Sequence, residues 1–384
     1  MPVEDAATPR DPDREILAKV DAIVLEALDA DPATWPTLID ARCGDDDTLR
    51  RDVESLLYIE RSLLDRAERP LFELFGPGEP QENRIGPWEV LDVLGEGGAS
   101  TVYRARRADS DDPRPVALKL LRRGSGTAET VRRLRREGRI LAGLRHPSIV
   151  PLLGGGVTDD GRPFLVMEWV DGATLDRHVE RTAPSLARRL DLVIELADAV
   201  HHAHGRLVVH GDLKPANVLI DSDGAPRLLD FGIAKLLDPE TETPWTLTAT
   251  GARMLTPAYA SPEQVRRQPL GVATDVWALG VILFELLTDE RPFAIEGQGL
   301  DAWRAICEQD APRPSAVLRR RGDARGSRAV AGDLDAIVAR ALRKEPETRY
   351  GSVRELADDL RRHRRGEPVR ARRGTFTYRA GKFV

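Results

Sequence analysis

Apolar positions in the first part of the chain fall on helical stripes. Ile16, Val20, Ile23, Val24 and Leu28 recur every three or four residues, which puts them on one face of an amphipathic helix. Asp31-Pro32 closes the stripe, because the residue before a proline is pushed out of the helical region. A second stripe of Leu49, Val53, Leu56, Leu57, Leu63 and Leu64 follows the acidic run Asp45–Asp47, whose charge suits the positive end of a helix. Residues 1–76 therefore read as a small all-α module of about three helices. It holds no catalytic pattern.

Gly, Pro and polar residues between Phe75 and Arg84 mark a linker, placed at 77–87. Beyond it the period changes. Trp88–Leu94 and Thr101–Ala105 read as strands around a glycine loop, and Val116–Leu121 as a third strand. From about residue 185 helical stripes return at Leu186–Ala203, Val276–Leu287, Asp333–Leu342 and Val353–Arg362. A strand-rich piece followed by a helix-rich piece predicts an α+β, two-lobed arrangement. The longest apolar candidate, Val276–Leu287, contains Glu285 and falls short of the roughly 18 residues of a membrane helix, so it reads as a core helix.

Composition narrows the class. With 41% hydrophobic and 31% charged residues over 384 positions, the chain is of ordinary globular type and large enough for a sizeable core. Two cysteines, Cys43 and Cys307, are too few and too far apart for a disulfide framework or a Cys-rich zinc site, and a reducing compartment follows. The acidic amino terminus lacks the apolar stretch of a signal peptide, so the expected location is cytoplasmic. The net charge of −6 conceals a segregation, because residues 1–83 carry −12 and residues 361–384 carry +8. Such asymmetry suggests an interacting tail and leaves its partner open.

Four segments carry chemistry. Gly95-Glu96-Gly97-Gly98-Ala99-Ser100-Thr101-Val102 lies between two strands, and glycines there let backbone N–H groups approach phosphate oxygens. A glycine-bearing hairpin also occurs for structural reasons alone. Lys119 interrupts the apolar run Val116–Leu121, where a lysine is either paired or outward-facing on a half-exposed strand. His210-Gly-Asp-Leu-Lys-Pro-Ala-Asn217 places Asp212, Lys214 and Asn217 within six residues: a base, a cation and an amide able to ligate a metal. Leu228-Leu-Asp-Phe-Gly232 adds the carboxylate of Asp230 at the end of an apolar run.

In this order the four segments resemble the signature set of protein kinases, more narrowly the bacterial serine/threonine kinases of eukaryotic-like, receptor type. The resemblance covers residues 88–365, with a small lobe at 88–170 and a helical lobe at 171–365. Glu137 resembles the helix glutamate that pairs with the strand lysine, and Met167-Glu168-Trp169-Val170 looks like the gatekeeper and hinge. Ser261-Pro-Glu263 resembles the end of an activation segment, with Arg349 placed to pair with Glu263. Asp275–Gly280 resembles the helix that anchors the catalytic loop.

The resemblance implies ATP and Mg²⁺ as cofactors and Ser/Thr hydroxyls of proteins as acceptors. Lys119, held by Glu137, would grip phosphates, and Asp230 and Asn217 would hold the metal. Asp212 would orient the hydroxyl and Lys214 would stabilise the γ-phosphate charge. Adenine would lie among Leu94, Val102, Ala117 and Leu219, near the backbone of Met167, Glu168 and Val170. The other class of reading is a nucleotide-binding pseudokinase or scaffold. Retention of Lys119, Asp212 and Asp230 argues for activity.

Departures sharpen the expectation. Ser100 replaces the third loop glycine, and Gly211 stands where many kinases carry an arginine that meets an activation-loop phosphate. Switching by loop phosphorylation is then not obligatory, although Thr241, Thr243, Thr246, Thr248 and Thr250 offer either autophosphorylation targets or a solvated loop. Thr256 matches the threonine that braces the catalytic loop. Self-association for autophosphorylation is the implied homotypic contact.

The histidines His201, His202 and His204 read as a helix end suited to its dipole, with no carboxylate pattern beside them. The arginines within residues 132–139 read as an exposed helix face. The basic tail 366–384 reads as juxtamembrane, and no nucleic-acid module accompanies it. The resemblance implies a membrane span beyond residue 384, with the kinase facing the cytosol.

Overall fold

The computed structural model describes residues 23, 26–27, 34–44, 46, 49–50, 53, 84–96, 100–109, 114–121, 138, 141–231, 257–293 and 300–372. The chain divides into two compact units, Met1–Leu74 and Phe75–Val384.

In the first unit, helix α1 (Trp35–Cys43) presents Trp35, Ile39 and Cys43 four residues apart to a small core shared with Ile23, Ala27, Leu49 and Val53. The acidic run acts as expected at one position. The Asp46 side chain accepts from the Leu49 N–H at 3.0 Å, capping the helical turn that follows. Helix α1 itself was not legible in the sequence. Its three buried residues recur only every fourth position, too short a stripe to stand out.

The second unit opens with strands β1 (Arg84–Ile85), β2 (Trp88–Glu96), β3 (Ser100–Arg107), β4 (Val116–Leu121), β5 (Leu152–Val157) and β6 (Pro163–Glu168). They form an antiparallel sheet in the order β1-β2-β3-β4-β6-β5. Alternation in β4 divides its side chains. Val116, Leu118 and Leu120 pack with Ala105, Phe164 and Val166, whereas Leu121 and Ala117 join the main core with Leu165 and Met167. Lys119 shares the latter parity.

Past β7 (Gly172–Thr174) come helices α2 (Leu175–Thr182) and α3 (Leu186–His204), then the hairpin of β8 (Val218–Asp221) and β9 (Pro226–Leu228), which extends β7 into a three-stranded sheet. The remaining helices are α4 (Pro262–Val265), α5 (Val272–Thr288), α6 (Leu300–Cys307), α7 (Pro314–Arg320), α8 (Ala324–Val330), α9 (Asp333–Ala341) and α10 (Val353–Arg364). The expected core helix is α5, buried nearly all round and starting four residues before Val276. Among the described residues no helix is long and apolar enough to cross a membrane.

The helical lobe continues past residue 365. Val369 is buried in the main core, and the N–H groups of Arg370 and Ala371 donate to Asp359 at 2.7 and 2.8 Å. The basic segment expected as a tail from 366 is therefore folded at least to Arg372, which reaches Asp333 at 3.1 Å. Residues 132–137, 139 and 373–384 lie outside the described residues.

Gly280 lets α5 meet α9 closely. A Cβ there would sit 2.8 Å from the Ala341 Cβ and 3.0 Å from the Leu342 Cδ2. Gly280→Ala is expected to destabilise by about 1–2 kcal/mol, because overpacking outweighs alanine's better helix propensity. A urea midpoint that stays constant or rises would contradict this close approach.

Candidate active site

The first sheet brings the strand residues into line. Val102 pairs with Lys119, Lys119 with Leu165, and Ala117 with Met167. On the opposite side of the same core, Leu219 of β8 packs as a partly buried residue. The predicted adenine contacts Ala117, Met167 and Leu219 thus border one apolar cluster, with Val170 buried at its edge and Glu168 exposed. Leu94, Gly95 and Glu96 are exposed at the end of β2, and Ser100 and Thr101 begin β3. Gly97, Gly98, Ala99, Glu137, the threonines at 241–250 and Thr256 lie outside the described residues.

Lys119 is paired. Its Nζ lies 2.6 Å from Asp230 Oδ2, with side chains 14% and 23% exposed. This decides between the two readings of a lysine in an apolar strand. Asp230 occupies the left-handed backbone region (φ 54°), which aspartate tolerates better than branched residues.

The catalytic-loop residues converge on Asp212. Lys214 Nζ donates to Asp212 Oδ2 at 2.8 Å, and Asn217 Nδ2 donates to the Asp212 carbonyl at 2.8 Å and to Oδ2 at 3.1 Å. A 3₁₀ turn at Pro215–Asn217 makes this reach possible by folding Asn217 back. The N–H of Leu229 donates to the Asn217 carbonyl at 2.9 Å, tying this loop to the segment that carries Asp230.

Beneath the loop lies a buried frame. Asp275 on α5, fully buried, accepts from the N–H groups of His210 and Gly211 at 2.9 and 2.8 Å. Gln264 Nε2 donates to the Gly211 carbonyl at 2.8 Å. Gly211 has φ +67°, a conformation glycine adopts without a Cβ penalty. Both polar groups of its peptide are fixed without any side chain at that position.

His204 required long-range information. It lies 2.7 Å from Asp275 Oδ2 through Nε2, so a carboxylate 71 residues away does accompany this histidine, contrary to the sequence expectation. His210 is a second strut missed as such. Its Nδ1 accepts from the Asp212 N–H at 3.3 Å, so Nε2 carries the proton and donates to the Leu229 carbonyl at 2.9 Å. Burial holds its pKa below the ordinary histidine value, keeping the ring neutral while it packs against Phe231 at 4.8 Å.

The oxygen set suits a hard cation. Asp230 Oδ1 is buried with no hydrogen-bond partner among the described residues, whereas Oδ2 faces Lys119. With the Asn217 amide nitrogen engaged by Asp212, its carbonyl oxygen is the atom left for a metal.

A cation on a strand, a carboxylate–lysine–amide loop and a second carboxylate across the cleft form the arrangement that the Protein kinase domain family shares, and that family's model matches residues 88–363. The chain belongs to the protein kinase family. Serine/threonine-protein kinase PknB of Mycobacterium leprae is 36% identical over 289 residues, covering 74% of this chain and 44% of the relative. A probable serine/threonine-protein kinase of Streptomyces coelicolor is 33% identical over 303 residues, covering 78% and 43%. The chain spans less than half the length of these relatives. The crystal structure of the Mycobacterium tuberculosis PknI kinase domain matches with a TM-score of 0.55 at 27% identity, over 74% of this chain and 99% of that one. The two-lobed fold is that of a protein kinase, and ATP with a divalent metal is the general requirement of the family.

Proposed function

We propose that this kinase transfers the γ-phosphate of ATP to serine or threonine hydroxyls of proteins, itself included, in bacterial signalling. The observation that carries the reading is the Asp212–Lys214–Asn217 cluster tied, through the Leu229 N–H on the Asn217 carbonyl, to the segment whose Asp230 pairs with Lys119.

Each role follows from an atom. With Oδ2 engaged by Lys214 and Asn217, Asp212 Oδ1 offers the acceptor for a hydroxyl proton, and the 41% exposed side chain lies within reach of an incoming chain. Lys214 brings positive charge beside it to stabilise the γ-phosphate, where the acceptor oxygen bonds to phosphorus as the bond to the leaving oxygen of ADP breaks on the opposite side. Lys119 serves the non-reacting phosphates, and its contact with Asp230 keeps the two sides of the cleft in register. Asp230 Oδ1 and the Asn217 amide oxygen would hold Mg²⁺, which supplies neutralisation of phosphate charge. Leu94, Val102, Ala117, Met167 and Leu219 enclose the base, and the residue 95–101 loop covers the phosphates. Glu137 is assigned to Lys119 when nucleotide is bound.

The organisation proposed is a helical module at 1–76, a linker at 77–87, a kinase domain from 88, and a basic end that approaches a membrane through a span beyond 384. The fixed backbone at Gly211 supports activity without obligatory loop phosphorylation.

The test is incubation of the chain with Mg²⁺ and γ-labelled ATP, followed by mapping of the label. Phosphoserine or phosphothreonine is expected, with sites among 241–250. Lys119→Met is expected to lower the rate by about 10²-fold or more, because a charge that orients the phosphates is lost. Undiminished incorporation in that variant, or label confined to lipid or small molecules, would overturn the proposal.

A further inference from the structure

On the helical lobe, apart from the catalytic cleft, a cavity of about 510 Å³ lies between the end of α3, the segment before β5 and α10. Its walls carry His146, His202, Arg206 and Arg354, together with Asp198, Asp358 and Arg361. None of these side chains enters the phosphoryl-transfer site. The volume falls in the range of small-ligand sites.

The hydrogen-bond inventory of this cavity is one-sided. Both carboxylates are engaged by a single arginine: Arg361 donates to Asp198 at 2.7 and 2.5 Å and to Asp358 at 3.2 Å. The donors are left over. Arg354 is exposed and makes no ion pair among the described residues. The Arg206 side chain, also exposed, contacts only His202 among the described residues, through its ring Nδ1 and its carbonyl, each at 3.3 Å.

That contact settles the histidine tautomer. A guanidinium can only donate, so His202 Nδ1 accepts and Nε2 carries the proton. The same Nε2 is buried and has no partner. His146 behaves alike, for its Nδ1 accepts from the Ser148 N–H at 3.1 Å and leaves Nε2–H as a donor. The two rings stand 5.2 Å apart. Burial holds both below the ordinary histidine value, so they act as neutral donors at pH 7.

We infer that this cavity binds a phosphate group, gripped by the exposed guanidiniums of Arg206 and Arg354. A tetrahedral oxyanion offers several acceptor oxygens and negative charge, which complements two exposed guanidiniums that make no ion pair among the described residues. A carboxylate-rich or metal ligand would meet the wrong polarity, since both aspartates already face Arg361. The anion sits beside the Arg361–Asp198 bridge between α3 and α10 and would strengthen the hold between those helices. Phosphate esters and free phosphate present the same oxygens, so the source is read by experiment.

The full chain, with its nucleotide site filled by ADP and Mg²⁺, is titrated with inorganic phosphate and separately with a phosphoserine peptide. Ionic strength is held constant with chloride. Saturable binding is expected, together with a ring-nitrogen NMR shift of His202 that follows the same curve. Arg354→Glu and Arg206→Glu, both at exposed positions, are each expected to weaken binding about tenfold or more, the loss of one charge-assisted hydrogen bond. Equal affinity for the two probes assigns the site to free phosphate, and a tenfold advantage for the peptide assigns it to a phosphorylated chain. Absence of saturation, or equal binding by the Arg206→Glu/Arg354→Glu double variant, overturns the inference. Phosphoryl transfer by the enzyme is not used as a readout, so failure here leaves the kinase reading untouched.

Discussion

Asp212→Asn is expected to cut phosphoryl transfer by about 10²–10⁴-fold, the contribution typical of a positioned general base or hydroxyl-orienting group. The substitution is close to isosteric, and the loop has other anchors. Asn217 still reaches the residue 212 carbonyl, and His210 and Gly211 still hang from Asp275. What disappears is the carboxylate charge, whose Oδ2 pairs with Lys214 at 2.8 Å and whose other oxygen would accept the substrate proton. ATP affinity should change by less than about threefold, because Lys119, Asp230 and the apolar walls bear the nucleotide. Turnover number and nucleotide dissociation constant are measured on the same preparation. Retained turnover would remove Asp212 from its role. A parallel collapse of ATP binding would show that the loop, rather than one oxygen, had been damaged.

The sequence made the chemistry legible because phosphoryl transfer places its cation, acceptor and metal ligands in short segments with fixed internal order. Asp212, Lys214 and Asn217 fall within one short loop and meet through one 3₁₀ turn, so their convergence is almost local. The Arg349–Glu263 pair, predicted across 86 positions, was readable only through the family resemblance, and the structure shows it at 2.8 Å. The supporting frame was less legible. A histidine at a helix end carries no mark of its distant partner, and nothing near His204 points to Asp275. Helix α1 escaped because its buried face is narrow, three residues over nine positions. The folded course of 366–372 escaped because it follows the arginine-rich run 361–365 and reads with it as solvated. In the structure charges along this stretch are met by carboxylates, Arg361 of α10 by Asp198 of α3 and Arg372 by Asp333 of α9.

Arg349→Met should destabilise the helical lobe by about 3–5 kcal/mol, since it leaves the Glu263 carboxylate buried without its partner. The two side chains are 0% and 3% exposed. Every donor of the guanidinium is engaged: Nε on the Arg343 carbonyl, Nη1 on Glu263 and Ala273, and Nη2 on Glu263 and Lys344. Lysine cannot reproduce that planar fork, so Arg349→Lys should recover only part of the loss. A midpoint drop of about 6–12 °C is expected in thermal unfolding of the methionine variant.

The same pair predicts an acid dependence. Burial alone would raise the Glu263 pKa, but the paired Arg349 overrides it and holds the group below the ordinary value of 4.5. A carboxyl whose folded pKa is depressed contributes stability that is present above its unfolded value and is lost as pH falls through the folded one. Wild-type stability should therefore decline below about pH 4.5 through this group, and that component should vanish in Arg349→Met.

The pair also bears on catalysis. Glu263 and Gln264 are neighbours on α4, and Gln264 bridges the Ser261 N–H at 3.0 Å to the Gly211 carbonyl at 2.8 Å. Loosening Glu263 would release that bridge and with it one side of the loop that presents Asp212. Turnover in Arg349→Met should thus fall even at temperatures where the variant remains folded. A variant with a lowered unfolding midpoint and unchanged turnover would confine the pair to stability alone.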